Sequence, residues 1–194
     1  LIGLGIAQTN SEEVMKNRCF DFGIINEGEE TIVDLCKKLI NNGNNFREIK
    51  GLTFRNKNDE IIVTEQREPI KDVDSIPYPA RDLLPPLKTY RASALYYKRL
   101  PIAQIFTSRG CPYQCIFCDT PFGKEVRFHS VEYVVSEIEM LLKDFGVKEI
   151  LVNDDTFTVN KKRVLDICRL IRKKKLKFIW SCNIRVNAVD KEIL

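Results

Sequence analysis

The chain has 194 residues, 44% of them hydrophobic, and its 31 Lys and Arg exceed its 27 Asp and Glu to give a formal net charge of +4. That is length and apolar content for one or two packed domains, with too small an excess of charge to require a polyanionic partner. No stretch approaches the roughly 20 apolar residues of a membrane-spanning helix. Seven cysteines, an odd count with no secretory segment ahead of them, argue against a disulfide framework and for a reducing, cytoplasmic setting. The opening Leu1-Ile2-Gly3-Leu4-Gly5 is neither an initiator methionine nor a basic-then-apolar signal, and Leu194 falls in the first turn of a helix expected to open at Asp190. The chain therefore reads as a piece of a longer protein.

Three zones emerge from the pattern of apolar residues. In the first, residues 1–45, periodicity predicts a strand at 1–6, a helix at 11–17 with Ser11 as its N-cap, a strand at 20–25 and a helix at 29–40. Strand and helix in alternation with short connections imply parallel pairing and an α/β layer. Gly28 is expected to let the chain turn tightly before the second helix, whose positive N-terminal end favours Glu29 and Glu30. The four cysteines at 19, 36, 168 and 182 lie in apolar periodic stretches and read as small core hydrophobes.

The second zone, residues 46–100, reads as a connector. Apolar and polar residues alternate over 49–55 and 61–65 around the turn-forming 56–59, a β-hairpin pattern. Prolines then set an extended path over 76–86. Tyr78, Tyr90, Tyr96 and Tyr97 are expected to pin this irregular segment to the domain beneath it.

The third zone, residues 101–194, repeats a strand-then-helix unit three times. Strands are predicted at 102–107, 148–152 and 177–182. The helix at 130–145, with Ser130 as N-cap, turns Val131, Val134, Val135, Ile138, Leu141 and Leu142 inward. A second helix at 161–173 turns Val164, Leu165, Cys168 and Ile171 inward. Its basic residues, Lys161, Lys162 and Arg163 among them, form the expected solvated face, and no aromatics are interleaved with them to stack nucleic-acid bases. Successive βα units with polar residues at the strand ends describe the first half of a partial or full (β/α) barrel. Asp154 and Asp155 follow the second strand and Arg185 the third, suiting them to orient an amine or a carboxylate, although an Asp-Asp pair also serves as a helix cap. His129, the one histidine, stands beside the cap at Ser130 and reads as structural.

Between the first strand and helix of this zone runs Ser108-Arg109-Gly110-Cys111, then Cys115, Phe117 and Cys118. Closed zinc sites take four ligands, and an iron–sulfur cube is usually held by four cysteinates. Three thiolates on one turn-rich loop leave a metal corner free, and spacing alone leaves a zinc knuckle, a redox pair or three unrelated buried thiols open. Ser108 and Arg109 are expected to fix the loop through hydrogen bonds.

Taken with its flanks, Thr107-Ser108-Arg109-Gly110 followed by Cys-x3-Cys-aromatic-Cys resembles the signature of the radical S-adenosylmethionine (SAM) superfamily. The resemblance implies a six-unit partial barrel in which Cys111, Cys115 and Cys118 hold a [4Fe–4S] cluster and the methionine part of SAM chelates the fourth iron. It places Phe117, Asp154, Asp155 and Arg185 on the cofactor side, and it implies reductive SAM cleavage to a 5′-deoxyadenosyl radical fed by an electron donor such as flavodoxin or ferredoxin. Residues 21–35 resemble the end of the Rossmann-like cobalamin-binding domain that precedes the barrel in many members, although Asn26 departs from the usual Gly-Glu-Gly-Glu run and Leu4 interrupts the usual paired glycine at Gly3 and Gly5. Residues 76–86 resemble the linker between those domains, where the tyrosines would otherwise line a substrate or corrin surface. The reaction so implied is a cobalamin-dependent methylation or another C–H functionalisation, with cobalamin held mostly by upstream residues and a small-molecule, peptide or lipid substrate. A methylthiotransferase acting on tRNA or protein shares the three-cysteine core, but Cys19 and Cys36 are too isolated to build its second cluster domain. A non-enzymatic iron–sulfur or zinc module, completed by Cys182, is the remaining alternative.

Overall fold

Short β-branched runs separated by amphipathic segments fold into two units, Leu1–Lys71 and Asp72–Leu194. The computed structural model describes residues 2–3, 6–90, 97–118 and 122–193. Leu4, Gly5 and Tyr96, each of which carries an expectation from the sequence, lie outside the described residues.

In the first unit, β1 (Ile2–Gly3), α1 (Ile6–Lys16), β2 (Phe22–Ile24) and α2 (Glu29–Ile40) are followed by β3 (Leu52–Arg55) and β4 (Ile61–Val63). β1 pairs with β2 in parallel, as strand–helix–strand order requires. β3 and β4 then extend the same sheet antiparallel, with Phe22 opposite Phe54 and Thr53 opposite Val63. The hairpin expected in the connector is thus built into the sheet of the first zone. Its core is Ile24, Leu35, Ile49, Leu52 and Phe54, with the Phe46 ring edge-on to Phe22 and Phe54 at 5.1 and 5.6 Å.

Three local expectations are corrected here. α1 opens at Ile6, so Ser11 lies inside the helix and caps nothing; serine is tolerated mid-helix when packing fixes the inward face, and Met15 on that helix is fully buried. Gly28 has ordinary right-handed backbone angles, φ −97° and ψ −11°. The turn is made by Asn26 at φ 62°, in the left-handed region that glycine enters freely and asparagine next most readily. Cys19 and Cys36 are exposed: Cys36 stands one position round α2 from the buried Leu35, and Cys19 follows α1 in a turn where its N–H donates to Asn17 Oδ1 at 3.0 Å.

The second unit holds β5 (Ile102–Ile105), β6 (Ser108–Arg109), β7 (Arg127–Phe128), α3 (Val131–Asp144), β8 (Glu149–Val152), α4 (Lys161–Lys173) and β9 (Ile179–Cys182). β5, β8 and β9 form an all-parallel sheet in that order, with Ile105, Val152 and Cys182 in register at the C-terminal ends. Such a sheet needs helices to cover it. α3 supplies Val134, Val135, Ile138 and Leu141, and α4 supplies Val164 and Ile167. Val131, Leu142, Cys168 and Ile171 pack against that core half-buried.

The segment before β5 is tied down polar group by polar group. Tyr78 donates its hydroxyl to Tyr133 O at 3.0 Å, and Tyr133 returns its own to Ile76 O at 2.9 Å. Arg81 Nη1 lies 2.8 Å from Glu137 Oε1, both side chains buried, while Nη2 donates to Gln104 O at 2.9 Å. Glu149, buried at the start of β8, accepts the Lys98 and Arg99 N–H groups, each at 2.7 Å. The pinning expected of the tyrosines is made by Tyr78, whereas Tyr90 is 47% exposed.

Candidate metal centre at the strand ends

Parallel register brings the ends of β5, β8 and β9 to one edge of the sheet. Asp154 sits there with no exposed surface. Its carboxylate accepts from Thr107 N and Oγ1, both at 2.6 Å, and from Ser108 N and Oγ at 3.1 and 2.7 Å. A carboxylate offers about four lone-pair sites, so Asp154 is saturated by the residues that lead into the cysteine loop. Thr107 Oγ1, while donating to Asp154, accepts from Arg163 Nη1 at 3.1 Å. Arg163 also donates from Nη2 to Thr107 O at 2.6 Å and from Nε to His129 O at 3.0 Å. Its guanidinium lies 5.1 Å from the centre of the Phe128 ring.

Arg163 is therefore buried, where a solvated face was expected. The legible signal is position: it stands one turn before Ile167 on the i, i+4 row that α4 turns inward. His129 is also structural, as expected. Its Nδ1 is 3.0 Å from Asp74 Oδ1 and its ring stacks on Tyr133 at 4.1 Å. Burial holds the His129 pKa below its ordinary value, against the opposing pull of Asp74.

The cysteine loop leaves from β6 and returns by β7, a two-residue antiparallel ladder that apolar periodicity does not reveal. Gly110, at φ 92°, opens it. A Cβ there would stand 2.2 Å from Glu125 O, so only glycine fits. Cys111 N then donates to Gly123 O at 3.1 Å, Lys124 Nζ to Tyr113 O at 2.8 Å and Cys118 N to Cys115 O at 3.1 Å. None of the three is in a disulfide; Cys111 is buried, Cys115 half-buried and Cys118 exposed.

The Cys111 and Cys115 sulfurs each meet a polar side chain. Cys111 Sγ lies 3.8 Å from Thr156 Oγ1, whose proton is directed to Asp155 O at 2.7 Å. Cys115 Sγ accepts from Arg185 Nη1 at 3.3 Å. Phe117 and Ile116 project from the loop, 88% and 103% exposed. Asp155 stands on the surface beside Asp154, its carboxyl pushed above the ordinary range first by desolvation and then by the Asp154 charge. Asn183, after β9, closes the rim: its carbonyl accepts from Phe157 N at 2.9 Å and its amide donates to Asp154 O at 3.4 Å.

Of the residues expected at the site, Cys115 and Arg185 are brought into contact, while Cys111 lies against Thr156. Phe117 and Cys118 occupy the open part of the loop, and Asp154 is directed into the protein. Among the described residues, no three His, Cys, Asp or Glu side chains converge as a metal-holding group. Cys182 packs half-buried against the core of the parallel sheet. Three cysteines on a glycine-held loop, one of them under a guanidinium, are a donor set suited to a soft, thiolate-bound iron centre.

Comparison with known proteins bears on the family and the fold. Residues 105–194 match the family model of the radical SAM superfamily. A Pyrococcus horikoshii protein named as an uncharacterized methyltransferase is 38% identical over 177 residues, which is 90% of this chain and 37% of that protein. The anaerobic magnesium-protoporphyrin IX monomethyl ester cyclase of Cereibacter sphaeroides is 34% identical over 179 residues, 87% of this chain and 28% of its own. The chain thus spans little more than a third of these relatives at most. Among solved structures, the cobalamin-dependent SAM radical enzyme OxsB, with aqua-cobalamin and SAM bound, superposes on 98% of this chain and 27% of its own, with a TM-score of 0.77 at 21% identity. The radical SAM methyltransferase TsrM of Kitasatospora setae, with cobalamin and a [4Fe–4S] cluster bound, covers 90% of this chain and 34% of its own, with a TM-score of 0.61 at 18% identity. At such identity the likeness is one of fold, and the mixed α/β fold is that of cobalamin-dependent radical SAM enzymes.

Proposed function

We propose that this chain, which carries a radical SAM domain over residues 105–194, is part of an enzyme in which Cys111, Cys115 and Cys118 hold a [4Fe–4S] cluster and leave one iron for SAM. The observation that carries the reading is the set of three cysteines, none in a disulfide, on a loop anchored at the ends of parallel strands. When bound, cluster and SAM supply reductive cleavage of the sulfonium carbon–sulfur bond, and cobalamin supplies methyl transfer. The cofactors bring the difficult chemistry, and the protein's part is orientation and exclusion of water.

That part divides among named residues. Asp154, filled by four hydrogen bonds from Thr107 and Ser108, holds the base of the loop rigid. Asp155, the carboxylate left on the rim, orients the amino group of SAM. Phe117, held out from the loop between the second and third thiols, offers an apolar ring to the adenosyl part. The unit Leu1–Lys71 is the counterpart of the end of a cobalamin-binding domain, and Asn26 supports that reading by keeping a left-handed turn where resembling proteins place glycine. The reaction is a methylation or another C–H functionalisation of a small-molecule, peptide or lipid substrate, driven by a flavodoxin-like or ferredoxin-like donor in a reducing, cytoplasmic setting. Among the described residues no helix is long and apolar enough to cross a membrane.

The test is anaerobic reconstitution of the full-length protein with iron and sulfide, followed by electron paramagnetic resonance of the reduced protein with and without SAM. A cubane signal that SAM perturbs is expected. A protein that binds four irons without responding to SAM, or that binds none, overturns the reading.

A further inference from the structure

We infer that Arg185 is a positioning residue for Cys115, holding a fixed positive charge against that ligand sulfur and so raising the reduction potential of the metal centre. The inference rests on the cluster reading above and adds a role to one side chain. Arg185 follows β9 and reaches back to the cysteine loop with its guanidinium constrained on three sides. Nη1 donates to Cys115 Sγ at 3.3 Å, the guanidinium carbon lies 3.9 Å from the centre of the Tyr113 ring, and Nε donates to Asn187 Oδ1 at 3.3 Å. Tyr113 is itself fixed from the other arm of the loop, its carbonyl accepting from Lys124 Nζ at 2.8 Å. Among the described residues Arg185 forms no ion pair with a carboxylate, so its charge is not spent on an acid elsewhere.

The electrostatic consequence has a definite sign. A guanidinium stays protonated across the working pH range and stacks on aromatic faces. Reduction adds one electron to an iron–sulfur centre and makes it more negative, so an adjacent cation and a hydrogen bond to a ligand sulfur stabilise the reduced form. The electron comes from the low-potential one-electron donor that the proposed activity already requires. A role on the SAM carboxylate makes a different demand, because the Nη1 that such a fork would use is already directed at sulfur.

The experiment compares the full-length reconstituted protein with its Arg185→Gln, Arg185→Lys and Tyr113→Leu variants. Midpoint potentials are read by electron paramagnetic resonance in dithionite titrations, first without SAM and then with it. Arg185→Gln is expected to lower the reduced-to-oxidised ratio at a fixed potential about tenfold, or about 59 mV for one electron. Arg185→Lys should recover part of that shift, because the charge returns without the planar fork. Tyr113→Leu, which removes only the platform, should shift the potential in the same direction by less. If Arg185→Gln loses its cluster, the Lys and Tyr113 variants carry the comparison, and unchanged potentials in both overturn the inference. A fully loaded Arg185→Gln protein with the wild-type potential overturns it as well, and a shift seen only with SAM present assigns Arg185 to SAM instead. A wild-type protein that binds no cluster sinks the functional reading itself, a distinguishable failure.

Discussion

Asp154 shows how one buried residue can anchor a loop from beneath. With no exposed surface and four donors on its carboxylate, it is a buried charge compensated entirely by Thr107, Ser108 and, through the Thr107 hydroxyl, Arg163. Removing one partner of such a set leaves the others unsatisfied, so Asp154→Ala should cost about 3–5 kcal/mol in urea unfolding. Asp155→Ala, on the rim, should leave stability within about 0.5 kcal/mol and weaken SAM binding, as measured by the SAM-induced change in the cluster signal. Cys111→Ala, Cys115→Ala and Cys118→Ala should each abolish SAM cleavage, whereas Cys168→Ala, from the α4 face against the core, should keep full iron content. Gly110→Ala should cost about 1–3 kcal/mol through its left-handed backbone alone, and more through the contact with Glu125 O.

His129 gives the residue scale its pH dependence. Burial depresses its pKa in the folded protein below the ordinary 6.5, so the unfolded chain binds the proton more readily. Stability is then fully present above the unfolded value and falls as pH drops through it toward the folded one. Asp74 acts lower on the scale: burial opposes its charge, but hydrogen bonds from Ser130 and His129 outweigh that and hold its pKa below 3.8, so its contribution is lost only as strong acid is approached. Unfolding free energy should therefore decline as pH falls below about 6.5, and His129→Gln should flatten that decline. An unchanged slope in the variant would count against the assignment.

At the scale of elements, α2 and α4 occupy the spans that periodicity predicts, and Ser130 and Asn160 cap α3 and α4 by accepting from Tyr133 N and Arg163 N at 3.1 and 3.0 Å. Boundaries failed where the deciding contact is remote. α1 begins five residues before its expected start, and the β6–β7 ladder exists only because the cysteine loop folds back on itself. Helix α3 also carries a charge inward. Glu137, its pKa raised by burial against the opposing pull of Arg81, ties the helix to the segment before β5. Glu137→Ala, which strands the Arg81 guanidinium, should cost about 3–5 kcal/mol, whereas Arg81→Met combined with Glu137→Leu should recover most of that loss. Denaturant unfolding of the single and double variants is the measurement.

For the whole molecule, the cysteine spacing and its flanks point to the superfamily, and βα repetition points to a parallel sheet, from the amino-acid order alone. Those features are local: a loop's ligand spacing and an amphipathic period are properties of neighbouring residues, so they are written into the chain in order. Where the hairpin at 52–63 pairs, that Asp154 faces inward, that Arg163 is buried and that Arg185 reaches Cys115 across 70 positions of sequence were decided by tertiary structure alone. The physical reason is that a charged side chain reads as solvated until a fold supplies its counter-groups. Here those counter-groups come from strands and loops that only the parallel sheet brings together.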